Sequence, residues 1–284
     1  MQRPTPDPAR GAAGHPTVSI VLPTYNRVAL IGRSIRSVLN QTYRDFELIV
    51  VDDGSTDATM EEVQRIHDPR MRTIRIAENR GAGAARNVGM RHAAGRFVAF
   101  QDSDDEWVPV KLERHMRVFE TCAPTVGVVY SDMLRIRRDG STHYHRSPTI
   151  IPGVLVDPRT RAYHVSRLGI QSTVIRRECL AHAGDFNEAF PALEDLELFL
   201  RLSRHTQFHH LTTPLVKYYE TDGLSNNMPA KRAARRLLLA LYRAELEQED
   251  MAFVLRESAA LGLDEARTAD GSTAPAPRDT AAGL

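Results

Sequence analysis

Phe97-Val98-Ala99-Phe100 runs through Gln101 into Asp102-Ser103-Asp104-Asp105, and the reading of this stretch decides the fold. Four apolar residues in a row read as a short buried strand. Behind them come three carboxylates within four residues, which repel one another unless a cation or a set of donors neutralises them. Hard divalent ions such as Mg2+ and Mn2+ take oxygen ligands and usually share them with substrate phosphates. An open parallel sheet binds ligands outside the carboxyl ends of its strands. The cluster therefore has two readings, a solvated acidic turn or a metal-diphosphate site at a sheet edge.

Outward from this stretch, strand-like and helix-like segments alternate. Val18-Ser19-Ile20-Val21-Leu22 reads as a buried strand that Pro23 should end. Leu30, Ile31, Ile35, Val38 and Leu39 repeat at helical spacing, and Phe46 to Val51 is a second, β-branched strand. Ser55 and Thr56 are expected N-caps for a helix carrying Met60, Val63 and Ile66. Thr73 to Ile76 is a short third strand, and a Gly/Ala-rich helix from about Gly83 to Ala93 leads into Phe97. Crossovers this long between strands argue for a parallel, doubly wound sheet. The second half is less regular. Strands are expected at Val126–Tyr130, Ser172–Ile175 and Leu215–Tyr219, a polar turn from Arg135 to Gly140, and a helix from about Asp195 to Ser203.

Composition narrows the class. The chain has 284 residues, 42% hydrophobic, with 37 basic against 36 acidic side chains. That is a globular protein with room for one large α/β domain, and its charge balance suggests no nucleic-acid partner. Cys122 and Cys179 are too few for a disulfide framework and have no zinc-like spacing. Met1 to Pro16 lacks the apolar core of a signal peptide. No apolar stretch approaches the ~20 residues of a membrane span. A cytoplasmic protein is expected.

Three further motifs could carry chemistry. Asp52-Asp53-Gly54-Ser55 follows the second strand, so its acidic pair shares a sheet edge with Asp102–Asp105. It reads as a turn and helix cap, or as a carboxylate that accepts the imide N–H of a pyrimidine. Asn79-Arg80-Gly81-Ala82-Gly83-Ala84-Ala85-Arg86-Asn87 opens a helix whose free N–H groups would attract phosphate. Arg86 stands where the dinucleotide fingerprint has its third glycine, which argues against a dehydrogenase. Close packing of a small-residue helix explains the glycines but not Arg86. Glu194-Asp195 begins a helix with an apolar opposite face. As structure the pair complements the helix dipole; as function Asp195 is a general base, its pKa raised by Glu194 and partial burial.

Taken in order, Pro23-Thr24-Tyr25-Asn26, Val51 to Asp57, Asn79 to Asn87, Asp102 to Asp105 and Glu194-Asp195 resemble the motif series of family-2 inverting glycosyltransferases of the GT-A fold. The resemblance covers about Val18 to Ser225. It implies an α/β, Rossmann-like, mostly parallel sheet flanked by helices, a smaller mixed acceptor-side region and a C-terminal helical extension. The implied division is a disordered segment 1–16, a transferase domain 17–228 (nucleotide-binding half 17–106, acceptor-binding half 107–228), a helical extension 229–264 and a disordered tail 265–284.

Residue by residue, the resemblance implies that Tyr25 stacks on the base and Asp53 binds it, beside the Pro23-Thr24 backbone. Arg86 would contact the nucleotide. Asp104 would bind Mn2+ or Mg2+, and Asp102 would meet the ribose or a metal-bound water. Asp195 would be the catalytic base, with Glu194 its neighbour. The implied reaction moves a sugar from a nucleotide-diphospho-sugar, a UDP-sugar by this pattern, to the hydroxyl of a glycan, a lipid-linked saccharide or another acceptor, with inversion. An inactive nucleotide-sugar-binding scaffold of the same fold is the alternative, and a metal-dependent hydrolase a weaker one.

Two departures matter. Processive members carry QxxRW and transmembrane helices, and this chain has neither, so transfer of one or a few sugars is expected. Many relatives place a His after the last strand. Here Tyr218 to Gly223 has none, leaving Asp222 as a substitute ligand. His143, His145, His164, His209 and His210 are expected on the surface or the acceptor side. Residues 231–243 form a basic, amphipathic stretch, expected as a solvated helix packed on the domain; peripheral contact with the inner face of a membrane is the alternative.

Overall fold

The computed structural model describes residues 14–221 and 227–263. The first half alternates as expected: β1 (Val18–Thr24), α1 (Ile31–Leu39), β2 (Phe46–Asp52), α2 (Thr59–Gln64), β3 (Met71–Arg75), α3 (Ala82–His92) and β4 (Phe97–Phe100). The second half holds β5 (Glu106–Trp107), α4 (Lys111–Thr121), β6 (Val126–Ile136), β7 (Thr142–His145), a 3-10 turn at Ile170–Ser172, β8 (Thr173–Arg176), α5 (Arg177–Ala183), α6 (Glu194–Ser203), β9 (Gln207–Tyr219) and α7 (Met228–Leu261). One sheet runs in the order β3-β2-β1-β4-β8-β6-β9-β5, with β7 paired on β6. The first four strands of that order are parallel, β8 is antiparallel to both its neighbours, and β6 and β9 are again parallel. Two reversals across β8 make β6 and β9 run in the direction of β4. The carboxyl ends of β1, β2, β4, β6 and β9 therefore share one edge.

Side chains alternate between two cores, as the two-residue period of a strand requires. Ile20, Leu22, Leu48, Val50 and Ala99 pack with Ile35 and Val38 of α1, Val63 of α2 and Leu112 and Met116 of α4. Val21, Ile49, Val51, Val98 and Phe100 face the other way, toward Ala85 of α3, Leu196 and Phe199 of α6 and Leu238 of α7. Both faces of β1, β2 and β4 are covered, so these segments read as mostly apolar runs, with Ser19 and Glu47 as exceptions.

Several boundaries differ from the sequence expectation. β1 continues through Pro23 to Thr24, with Pro23 opposite Val51 of β2. Val21 points its carbonyl at β4, accepting from the Gln101 N–H at 3.0 Å, and Pro23, two residues on, faces the same side. β4 has ended there, so the missing proline N–H leaves no ladder bond unmade. Ser55 and Thr56 do not cap α2, whose N-cap is Ala58 with no side-chain bond. Ser55 Oγ instead accepts the Asn26 N–H (3.0 Å), and Asp57 Oδ1 accepts the Thr59 N–H (3.0 Å). β6 and β9 are longer than their apolar cores suggest, since each pairs with the other and tolerates polar residues on the open face. The segments expected to be disordered, 1–16 and 265–284, lie outside the described residues apart from 14–16.

The C-terminal helix bends back on itself. Asp250 leaves helical geometry (φ −155°, ψ 82°), and its Oδ1 accepts the Phe253 N–H at 3.0 Å, capping the second limb. Arg235 pairs with Glu257, while Arg232 and Arg236 donate to the Ala260 and Leu261 carbonyls at 3.2 and 2.7 Å. Arginines at a helix C-terminus satisfy carbonyls that have no intrahelical donor. The basic stretch is thus largely engaged within its own helical hairpin. No helix among the described residues is long and apolar enough to cross a membrane.

α3 reaches β1 closely because Gly89 has no side chain: a Cβ there would overlap the Val21 side chain. Gly89→Ala is expected to destabilise the fold by about 1–3 kcal/mol through overpacking. The measurement is the urea midpoint at constant slope, and an unshifted midpoint would mean that α3 can move off β1 without cost.

Candidate active site

At the carboxyl ends of β1 and β2 two turns are tied together. The Asp53 N–H donates to the Thr24 carbonyl at 2.8 Å, extending the ladder by one bond. Asn26 stands in the left-handed region (φ 50°), which Asn tolerates, and its Oδ1 accepts the Thr56 N–H at 2.8 Å. Tyr25, just before it, is 40% exposed, with its ring available at the rim of the edge. Asp52 holds the turn, its Oδ1 accepting the Ser55 N–H at 3.1 Å, with Arg75 alongside Oδ2 at 3.4 Å. Gly54 (φ +75°) has no alternative here, because a Cβ would sit 2.9 Å from the Glu78 backbone.

Asp53 reaches across to the start of α3. Its Oδ1 accepts the Arg80 N–H (3.0 Å) and its Oδ2 the Gly81 N–H (2.8 Å). Burial nonetheless raises its pKa, and the two N–H bonds only partly oppose this. Each carboxylate oxygen keeps a second acceptor position, so a ligand N–H remains a feasible partner.

Arg86 is where the structure departs most from the expected roles. Expected at the nucleotide, it is 5% exposed and lies between two carboxylates. One terminal nitrogen donates to Asp102 Oδ1 at 2.8 Å and the other to Glu194 Oε1. Its guanidinium sits 5.4 Å from the Phe186 ring. The small residues of α3 make this possible: the Cβ that Gly83 lacks would touch Glu194 and Phe186 at 3.6 Å. Asn87 fixes the same segment, donating to the Phe186 carbonyl (2.9 Å) and accepting the Phe186 N–H (2.8 Å).

The loop after β4 divides its labour. Asp105 is buried and structural, accepting the Tyr219 N–H on Oδ1 and the Gln171 side-chain amide on Oδ2, both at 2.9 Å. Burial and the neighbouring Asp102 and Asp104 push its pKa well up. Asp104 is half-buried, its Oδ2 accepting from Thr221 Oγ1 at 2.6 Å and its carbonyl accepting from Arg33 at 2.6 Å. Asp102 keeps a 27% exposed side chain and one oxygen outside the Arg86 bond.

Behind the loop is a clamp that sequence reasoning missed. Three successive carbonyls, Gln171, Ser172 and Thr173, meet Trp107 Nε1 (3.0 Å), His115 Nε2 (3.0 Å) and Lys111 Nζ (3.4 Å). Lys111 is fully buried with its amine 4.0 Å from the Trp107 ring, and desolvation lowers its pKa well below that of an ordinary lysine. Lys111 and His115 lie one helical turn apart on α4, beside the chain's single tryptophan; that spacing was the available signal.

α6 brings in the last pair. Leu193 adopts the left-handed conformation (φ 60°, ψ 23°), unusual for a branched apolar residue. It turns the chain so that Glu194 and Asp195 open the helix over the loop. Glu194 is held by Arg86. Among the described residues Asp195 takes only the Leu196 N–H on Oδ1 (2.8 Å), and burial beside Glu194 pushes its pKa up to about 7.

A divalent cation suits these residues in one respect. Mg2+ and Mn2+ are commonly held by one or two carboxylates plus substrate phosphates, and Asp104 and Asp102 offer open oxygens at one loop. Among the described residues no group of three or more His, Cys, Asp or Glu side chains gathers to hold an ion. Asp222 lies outside the described residues. The histidines stand elsewhere: His210 Nε2 donates to Oδ1 of buried Asp132 (2.7 Å) and its ring stacks on Tyr130, His164 is buried, and His143 and His209 are exposed.

Comparison with known proteins adds to this geometry. The glycosyl transferase family 2 pattern matches residues 19–179. The Escherichia coli protein WfgD, named UDP-Glc:alpha-D-GlcNAc-diphosphoundecaprenol beta-1,3-glucosyltransferase, is 47% identical over 96 residues, 34% of this chain and 38% of its own. WfaP of Escherichia coli, which carries the same activity name, is 33% identical over 187 residues, 65% of this chain and 69% of its own. With WfgD the match therefore spans well under half of the relative's length. Staphylococcus aureus TarS 1-349 in complex with UDP-GlcNAc superposes with a TM-score of 0.62 at 20% identity, over 86% of this chain and 73% of that one. The mannosyltransferase PcManGT from Pyrobaculum calidifontis, in complex with GDP-Man and Mn2+, gives 0.58 at 20% identity, over 88% and 71%. These two likenesses concern the GT-A fold. With the family pattern covering more than half of its length, the chain belongs to glycosyl transferase family 2.

Proposed function

We propose that this chain is an inverting glycosyltransferase that moves a sugar from a UDP-sugar to the hydroxyl of a lipid-linked saccharide in cell-envelope glycan synthesis. The observation that carries the reading is Asp195: a half-buried carboxyl whose pKa is pushed up to about 7, at a helix start, joined through Glu194 and Arg86 to the Asp102–Asp104 loop. A base poised near neutrality is suited to taking a proton from an alcohol. UDP and a diphosphoundecaprenol-linked acceptor are suggested by the names of WfgD and WfaP.

In this mechanism Tyr25 stacks on the uracil, beside the Pro23-Thr24 backbone, and Asp53 accepts the uracil N–H on a remaining lone pair. Asp102 meets the ribose. Asp104, with Asp102 beside it, would hold Mn2+ or Mg2+, which when bound supplies charge stabilisation to the leaving diphosphate. Asp195 removes the proton from the acceptor hydroxyl as that oxygen attacks the anomeric carbon from the face opposite UDP. The anomeric C–O bond breaks and its electron pair leaves with the diphosphate, inverting the centre. Arg86 keeps Glu194 and Asp102 paired, so their charges do not raise the Asp195 pKa further and leave it unable to ionise at neutral pH.

Asp195→Asn is expected to lower kcat by about 10²–10⁴-fold while UDP still raises the melting temperature as in the wild type. Undiminished transfer from a labelled UDP-sugar to a polyprenyl-diphosphate saccharide would refute the assignment. The acid limb of kcat/KM has a definite sign. Below about 7 Asp195 carries a proton and cannot accept another, so the rate should fall about tenfold per pH unit there and level off above; a flat profile from pH 5 to 8 would exclude this base. Asp104→Ala should weaken Mn2+ binding, followed by electron paramagnetic resonance in the presence of UDP, by about tenfold or more. Equal Mn2+ affinity in the variant would remove Asp104 from the ligand set.

A further inference from the structure

We propose that the β6–β7 hairpin is a cationic arm that docks the protein on an anionic membrane surface, with the active-site edge facing the bilayer. The base of the hairpin is built into that edge. Ile136, the last residue of β6, pairs with Tyr219 of β9, whose N–H donates to Asp105 Oδ1 at 2.9 Å. The Glu220 N–H donates back to the Ile136 carbonyl at 2.9 Å. Beyond this point β6 leaves the body of the sheet and turns at residues 137–141, where Gly140 (φ +81°) closes the turn. The hairpin therefore projects from the rim next to the Asp102–Asp105 loop.

Its charge differs from that of the rest of the chain. Residues 135–146 contain four arginines and one aspartate, a net +3 with histidines neutral, whereas the whole chain carries +1. The remaining 272 residues thus sum to −2, and the other strongly basic stretch, 231–243, has five basic and no acidic side chains. Arg135 is paired with Glu220 at 2.7 Å, and Arg137, Arg138 and Arg146 all lie exposed to solvent. Asp139, the sole carboxylate of the turn, is turned in on the Ser141 N–H at 2.8 Å. Tyr144 stands among them, 47% exposed, its hydroxyl fixed on buried Asp132. Cations around an amphipathic ring held at a fixed height match the headgroup zone of a bilayer. The arginines of α7, by contrast, are largely engaged by Glu257 and by the last carbonyls of their own hairpin.

The test is co-sedimentation of the full chain with phosphatidylcholine vesicles, with and without phosphatidylglycerol. Wild-type protein should bind only the anionic vesicles and lose binding as salt rises. The R137E/R138E/R146E variant should bind at least about 100-fold more weakly, and the milder R137Q/R138Q/R146Q variant should fall between them. K231E/R256E on α7 should bind like wild type. UDP-dependent thermal stabilisation, measured on every variant, should be unchanged, which separates loss of docking from failure of the donor-site reading. Binding that ignores phosphatidylglycerol, or that the α7 changes abolish and the arm changes spare, overturns the proposal. So does arm-dependent binding to soluble polygalacturonate with no vesicle binding, which would make the partner an acidic glycan.

Discussion

A single buried guanidinium holds the functional edge together. Arg86 lies between Asp102, in the loop after β4, and Glu194, at the start of α6, 108 positions apart in sequence from the latter. Without a cation there, desolvation and mutual repulsion would force carboxylates on both segments to take up protons, or drive the segments apart. Arginine suits the position because its fork presents two parallel pairs of donors and it stays charged when buried. Its single positive charge is shared by the two carboxylates it touches and reaches a third, Asp195, only through space. Burial raises the pKa of Asp102 and Asp105 as well, but Asp195, without a direct bond to Arg86, is pushed up to about 7, which suits a base.

The carboxylate loop also has a fixed rear. The Gln171–Thr173 carbonyls rest on Trp107, His115 and Lys111, and Gln171 in turn donates to Asp105. Buried carbonyls need donors, and the Lys111 amine supplies one, with desolvation lowering its pKa well below that of an ordinary lysine. His115 has its pKa held down to about 3 by burial and by Lys111. The acidic loop is therefore anchored by Asp105 and displayed by Asp102 and Asp104, a division that follows from which oxygens already have donors.

Legibility in the sequence tracks how local the determining physics is. β1, β2 and β4 could be read because strands buried on both faces are mostly apolar, and the acidic loop could be read because nothing local explains its charge. Pro23 misled because its effect depends on where β4 stops, which no window around residue 23 contains. Arg86 looked like an anion-binding residue, as a lone arginine at a glycine-rich helix start does. Its partners come from α6, and only the packing of Gly83 against Glu194 reveals them. The basic stretch after residue 230 was ambiguous for the same reason: the bend at Asp250 that returns Glu257 to Arg235 leaves no signature beyond an aspartate in a helix.

The uneven ends of the strands have a consequence of shape. β1 and β2 run three residues past the last β4 pair, from Val21↔Phe100 to Thr24↔Asp52. On the other flank β6 and β9 run on from Tyr130, where β8 begins, to Ile136 and Tyr219. β4 and β8 are thus the floor of a notch walled by longer strands on both sides. Three strand spacings separate β1 from β6, so the notch is about 14 Å across, and its β1 wall rises about 10 Å above the floor. The sheet makes its concavity by omission, stopping its two middle strands early, and the acidic loop and the 3-10 turn fill only the bottom of the gap.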